Sequence, residues 1–256
     1  MEAITCICLK YGTLYSPEYV NRLHAGLVRN SSLPVRLVCM TDNAQGLNPR
    51  VEVLPLPEET FAGRMERAMA IAPKQGRLKK ISLFRPGLIQ DHAGPLLIFD
   101  LDVVIVGPII DLWTHAPGKV CMRREWRGSS RAPSLGHGSV ERIDPERHDY
   151  LYRQMADDPE AAVAFGCGSE QTYTSKSADR AGDLAYYPDA WIASFKHDCR
   201  PQKPFNLFVT PRRPVDARVI CFHGRPKMEE AVTGYSAGLS STRPCAWLGQ
   251  VWKGGE

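Results

Sequence analysis

The run Leu96-Leu97-Ile98-Phe99-Asp100-Leu101-Asp102-Val103-Val104-Ile105-Val106 sets two carboxylates two residues apart inside an otherwise apolar stretch. Burying unpaired carboxylates that close together is very costly, so the segment calls for a compensating charge. A divalent cation is the simplest compensation. In an extended chain, residues i and i+2 point to the same side, so Asp100 and Asp102 can both approach one ion. Carboxylate oxygens suit hard cations such as Mg2+ or Mn2+, and a cation held this way is suited to gripping a diphosphate.

A second constellation, Val219-Ile220-Cys221-Phe222-His223-Gly224-Arg225-Pro226-Lys227, sets a histidine at the end of another apolar run. The glycine that follows allows close approach of backbone to a ligand. Imidazole is a common transition-metal ligand, and adding one to two carboxylates favours Mn2+ over Mg2+. Lys227 supplies a point charge for a phosphate. The expected metal set is therefore Asp100, Asp102 and His223, with Leu101, Gly224 and Lys227 beside the diphosphate. A histidine ligand must be neutral, so donor binding is expected to weaken as pH falls between about 7.5 and 5.5.

The elements that must carry these residues are legible mainly in the first half. Ile4 to Leu9 reads as a strand. Ser16-Pro17-Glu18 then supplies a cap, a proline at the first helical position and an acid in the first turn, before Val20, Leu23 and Leu27 at helical spacing. Val35 to Met40 and Val51 to Leu56 are further strands. Lys79 to Phe84 reads as a helix end stopped by Pro86-Gly87, and Pro95 to Asp100 as the fourth strand. Strands alternating with helices imply a mostly parallel, Rossmann-like α/β sheet covered on both faces. In such sheets ligands bind at the carboxyl ends of strands, where Asp100 and Asp102 fall. Beyond Gly107-Pro108 the pattern weakens. Ser129 to Asp144, rich in Ser and Gly, reads as a long loop, while Leu207 to Val209 and Val219 to Phe222 read as late strands. The expected organisation is a single domain over 1–256, with about 1–110 as the nucleotide-binding half and about 111–256 as the acceptor side with the late metal and phosphate motif.

Bulk properties narrow the class. The chain has 256 residues, 43% of them hydrophobic, and a net charge of +4, which suits a globular protein with a sizeable core rather than a nucleic-acid binder. No apolar run approaches the roughly 18–20 residues of a membrane span. The first residues show no basic, cleavable leader. Eight cysteines are too few for a disulfide scaffold at this length, and Cys6, Cys8 and Cys221 sit in strand-like runs, so a reducing, cytoplasmic setting is expected. The one dense basic patch, Arg123, Arg124, Arg127 and Arg131 with Trp126, can face an anionic acceptor, as can Trp191.

Phe99-Asp100-Leu101-Asp102 followed by Gly107-Pro108-Ile109, together with Phe222-His223-Gly224-x-Pro226-Lys227, resembles the GT-A-fold glycosyltransferases, and within them the retaining, family 8-like group. The late element departs from that family's pattern: the glycine directly follows the histidine, and Met228 stands where the family has proline. Gly168-Ser169-Glu170-Gln171-Thr172 is similar to the family's Gly-Asp-Gln-Asp segment, with Glu170 for its first acid, Gln171 kept and Thr172 for its last acid. Lys80-Ile81-Ser82-Leu83-Phe84 resembles the helix that runs under the donor, and Tyr11 sits where the family packs a residue against the nucleotide base. The resemblance implies a GT-A fold and metal-dependent transfer of a sugar from a nucleotide diphosphate, a UDP-sugar above all, with retention. The acceptor is left open among glycan, lipid-linked sugar and protein. It further implies Mn2+ or Mg2+ bridging the phosphates, Lys80 and Lys227 stabilising the leaving group, and Glu170 and Gln171 beside the sugar.

Two other readings compete. Phe-Asp-Leu-Asp also opens the nucleophile motif of haloacid-dehalogenase-type phosphatases, with Asp100 as nucleophile, although that motif normally sits on a first strand. His197, Cys199, Cys221 and His223 supply the ligand count of a structural zinc module, with tighter spacing than in usual fingers.

Overall fold

A computed structural model describes residues 3–72, 78–126 and 135–253. Its strands are β1 (Ile4–Lys10), β2 (Val35–Thr41), β3 (Glu52–Pro55), β4 (Leu96–Phe99), β5 (Val103–Ile105), β6 (Val120–Arg124), β7 (Gly136–Ile143), β8 (Leu184–Tyr186), β9 (Ile192–Ser194) and β10 (Val219–Cys221). Seven of them form the central sheet in the order β3-β2-β1-β4-β7-β6-β8, and β5-β10-β9 form a small second sheet. The central sheet is mostly parallel: β7 alone among its described strands runs antiparallel, against β4 and β6.

The continuous apolar run of β4 follows from its position. All four of its residues are buried, Leu97 and Phe99 on one face with Cys6, Cys8, Leu37 and the helix residues Val20, Leu23 and Leu27. Leu96 and Ile98 pack on the other face with Ile7, Met40, Leu151, Met155 and Tyr173. A strand covered on both faces has no polar side to alternate with. Each such side chain contributes about 1.5–3 kcal/mol relative to leaving it exposed. A third apolar cluster, Val104, Val106, Ile220, Phe222, Met228 and Leu248, packs beneath the small sheet.

The first four expected strands and the helix from Pro17 are present, that helix running Pro17–Arg29. Lys79 to Phe84 falls within a 3-10 helix, Leu78–Phe84. Two expectations need correction. The segment read as a loop over 129–144 contains β7, which inserts between β4 and β6; residues 129–134 lie outside the described residues, as do Arg127 and Arg131. Its sequence, Gly-His-Gly-Ser-Val-Glu-Arg-Ile, hides a central strand because its buried polar groups find partners: Lys80 meets Glu141, and the Arg142 guanidinium donates to Trp113 O at 2.7 Å. Leu207 to Val209 is no strand: a 3-10 turn, Phe205–Leu207, occupies its start, and Phe208 stands exposed. The two expected halves share their sheets, since β4 pairs with β7 and β5 with β10.

Gly107, just past β5, shows why that motif carries glycine. A Cβ there would lie 2.7 Å from the Ala217 carbonyl oxygen and 3.2 Å from Arg218 Cα. We expect Gly107→Ala to cost about 1–3 kcal/mol in urea unfolding, because backbone must move to admit the methyl group; an unchanged midpoint would show that this approach is not tight.

Candidate active site

The chain leaves the central sheet at Phe99 and enters the small sheet at Val103, and Asp100 and Asp102 stand in that crossing. Each end is tied down. The Asp100 N–H donates to Ser139 O on β7 at 3.0 Å, and the Phe222 N–H next to β10 donates to Asp102 O at 2.8 Å. Between them Leu101 is buried in the core cluster. Both carboxylates therefore sit at the carboxyl end of a parallel-sheet strand, with fixed backbone on either side.

They line one cleft of about 320 Å3, together with Tyr11, Tyr15, Lys80, Leu101 and Glu170. Thus Tyr11, Lys80, Asp100, Leu101, Asp102 and Glu170, scattered over 160 positions of sequence, share a single wall. Each aspartate faces a lysine. Lys80 Nζ is 3.3 Å from Asp100 Oδ1, and Lys227 Nζ is 2.9 Å from Asp102 Oδ2. Tyr15 OH donates to the same Asp102 oxygen at 2.9 Å, and Lys227 Nζ donates to Tyr15 OH at 3.1 Å. Burial and the neighbouring carboxylate keep the Tyr15 phenol protonated. Tyr15 was not anticipated; its place just ahead of the Ser16-Pro17 helix start is the one sequence signal for it.

Beneath Asp100 lies a denser set of charges. Lys80 Nζ also meets the fully buried Glu141 at 3.0 Å and bonds the Gly138 carbonyl. Burial alone would favour a neutral amine, but Asp100, Glu141 and Glu170 outweigh it and hold Lys80 protonated. Burial, then the Glu170 charge, pushes the Glu141 carboxyl well above the ordinary range, against the pull of Lys80. Glu170 is raised by burial and by Asp100, with Lys80 opposing. Asp100 is raised by burial and by Asp102, again against Lys80. Gly138 permits this crowding: a Cβ on it would lie 3.2 Å from Glu170 Oε2 and 3.5 Å from Lys80 Nζ. Glu141 was missed because it lies in the stretch read as loop.

Of the other expected residues, Gln171 is placed differently. Glu170 opens the helix Glu170–Arg180 and accepts from Thr174 Oγ1 at 2.9 Å. Its neighbour Gln171 turns away, donating to Glu125 Oε2 at 2.8 Å and accepting the Gly138 N–H at 3.4 Å, and does not line the cleft. Gly224 has φ +77°, a conformation glycine adopts freely, and a Cβ there would lie 2.9 Å from Lys196 Nζ. Lys227 starts the helix Met228–Thr233, its N–H bonded to Glu230 Oε2 at 2.8 Å.

His223 stands one residue beyond Phe222, so the pairing of β5 with β10 brings it to the same end as the aspartates. Its Nε2 is 2.7 Å from Ser194 Oγ, and its ring stacks between Trp126 at 5.3 Å and His197 at 5.6 Å. Among the described residues no group of three or more His, Cys, Asp or Glu side chains is placed to hold a metal ion. The Asp102 charge reaches the His223 imidazole, but the carboxylates and the imidazole do not form one preformed ligand set among the described residues. The donor set of the cleft is oxygen-based, two aspartates opposed by lysines, and it fits a hard cation that takes one or two carboxylates and completes its shell with phosphate oxygens and water.

Neither competing reading gains support. Three strands precede the one that carries Asp100, unlike the first-strand nucleophile of the phosphatase motif. Cys199 and Cys221 are buried in two different apolar clusters and their thiols are raised by burial, so they do not join His197 and His223 at a zinc centre.

Comparison with solved structures follows the same line. The chain is similar to the galactosyltransferase LgtC in complex with donor and acceptor sugar analogues: 12% identity, TM-score 0.58, covering 88% of this chain and 89% of that one. It is similar to the glycosyltransferase GlyE of Streptococcus pneumoniae TIGR4, at 11% identity and TM-score 0.55, covering 99% of this chain and 60% of GlyE. Mouse xyloside xylosyltransferase 1 is a third, at 10% identity and TM-score 0.52, covering 88% and 98%. No family model and no curated protein matches the sequence. At such identities the likeness shows the fold, which is the GT-A type of these glycosyltransferases.

Burial, with Lys196 and His197 nearby, lowers the His223 pKa from 6.5 to about 4. Between those two values the unfolded chain binds the proton and the folded one does not, so stability is whole above pH 6.5 and erodes as pH falls toward 4. We expect His223→Gln to lose less stability than wild type over that range in urea unfolding; an equal loss would mean that His223 titrates normally.

Proposed function

We propose that the protein is a glycosyltransferase that moves a sugar from a nucleotide diphosphate to an acceptor. The observation that carries this reading is the cleft at the carboxyl end of β4, where Asp100 and Asp102 meet Lys80 and Lys227. The GT-A fold supports it, and one of the similar structures is an LgtC variant with an active-site glutamine changed to glutamate.

In this reading Asp100 and Asp102 would hold Mn2+ or Mg2+, with His223 as the third candidate ligand, and the ion would supply positive charge to offset that developing on a leaving diphosphate. Lys227 is released from Asp102 to meet phosphate oxygen, exchanging one anionic partner for another. Lys80, kept protonated by three acids, holds Asp100 in place and adds positive potential under the leaving group. Tyr11, on the cleft wall, is the candidate contact for the base that the resemblance implies, and Glu170 is the candidate to orient the sugar from the same wall. For Gln171, bonded to Glu125, we propose a supporting place behind Glu170. A UDP-sugar donor and transfer with retention are what the family 8-like resemblance implies. The acceptor lies among glycans, lipid-linked sugars and proteins.

A thermal-shift panel of nucleotide sugars, each with and without Mn2+, tests the proposal. Ligand at about a hundred times its Kd stabilises by about 2.7 kcal/mol, and at about 2–4 °C per kcal/mol the melting temperature rises by roughly 5–10 °C. We expect that rise for a UDP-sugar only when Mn2+ or Mg2+ is present. A panel in which no nucleotide sugar shifts the transition would count against the function.

A further inference from the structure

Two loops of the C-terminal part, residues 199–215 and 234–245, are fastened to each other. The buried Asn206 amide donates to Leu239 O at 3.1 Å and to Ser241 O at 2.7 Å, and the Arg200 guanidinium donates to Ser240 O at 2.9 Å. Outward these loops turn Phe205, Phe208 and Leu239, which are 64%, 77% and 61% exposed, with Val209 beside them. Single exposed apolar side chains are ordinary, but five on two interlocked segments, Val215 included, are a concentration with a cost in water.

The charges within them are cationic: Arg200, Lys203, Arg212, Arg213 and Arg243 fall in these two segments, which contain no Asp or Glu, while the exposed Asp198 and Asp216 adjoin the first on either side, leaving cations in excess five to two. Lys203, Arg212 and Arg243 are exposed. Protruding aromatic and aliphatic side chains ringed by cations match the chemistry of an anionic lipid surface: the apolar groups enter the headgroup boundary while the cations meet lipid phosphate. Side chains this exposed stand out from the surface, which favours a soft interface over a protein groove.

We propose that loops 199–215 and 234–245 form a docking surface for an anionic bilayer. The first loop continues directly from the turn Phe195–Cys199, whose His197 stacks on His223, so docking brings the candidate site close to the lipid surface. The proposal does not depend on the nucleotide-sugar reading, because vesicle binding needs no donor.

Co-sedimentation of the full chain with vesicles tests it. We expect binding to phosphatidylcholine vesicles that contain phosphatidylglycerol, little binding to pure phosphatidylcholine, and weakening as salt is raised. Lys203→Gln with Arg212→Gln should weaken binding roughly fivefold per cation removed. Phe205→Ser with Phe208→Ser should weaken it at least about tenfold at unchanged charge. All four positions are exposed, so both variants should melt at the wild-type temperature. Absent binding, equal binding to both vesicle types, or wild-type binding by the phenylalanine variant would overturn the proposal. So would binding to a single-stranded oligonucleotide without binding to vesicles, which would assign the cations to nucleic acid.

Discussion

The structure depends on one constraint: the chain between Phe99 and Val103 must cross from the central sheet to the small one while carrying two carboxylates. Backbone bonds to Ser139 on one side and Phe222 on the other fix the crossing, and Leu101 anchors it in the core between the acids. An acid pair held this rigidly cannot swing apart to relieve its repulsion. The rest of the cleft answers that problem. Lys80 comes from the 3-10 helix, Lys227 from the start of a late helix and Tyr15 from the approach to the first helix. Each places a donor on one of the two carboxylates.

The compensation around Asp100 is uneven. Lys80 serves three acids, two of them largely or wholly buried, and one ammonium cannot balance three carboxylates. The raised positions of Glu141, Glu170 and Asp100 follow from that shortage. A cleft wall short of positive charge favours a cationic ligand beside it, and a divalent ion carrying a diphosphate would relieve it. This is why the carboxylate pair, more than the histidine, bears the functional reading.

What the sequence revealed and what it hid divide along physical lines. Asp100 and Asp102 were legible because acids inside an apolar run contradict the run. β1, β2 and β4 were legible because both of their faces are buried, which leaves continuous apolar residues. β7 was not, since its Glu141 and Arg142 are buried through partners remote in sequence, Lys80 and the Trp113 carbonyl, that no local pattern announces. The apolar run Leu207 to Val209 misled in the opposite sense, being apolar yet partly exposed. His223 falls just past β10, and its bond to Ser194 and its stacking on Trp126 depend on how β9 and β10 pair, which spacing along the chain does not express.

In the proposed function Asp100 and Asp102 together carry a divalent cation for a nucleoside diphosphate. Calorimetric titration of UDP into wild type and Asp102→Asn, each with saturating Mn2+ and without it, addresses that claim most directly. We expect Mn2+ to strengthen UDP binding to wild type by at least about a hundredfold and to leave Asp102→Asn at the metal-free affinity, with both proteins folded. Equal enhancement by Mn2+ in the two proteins would contradict it.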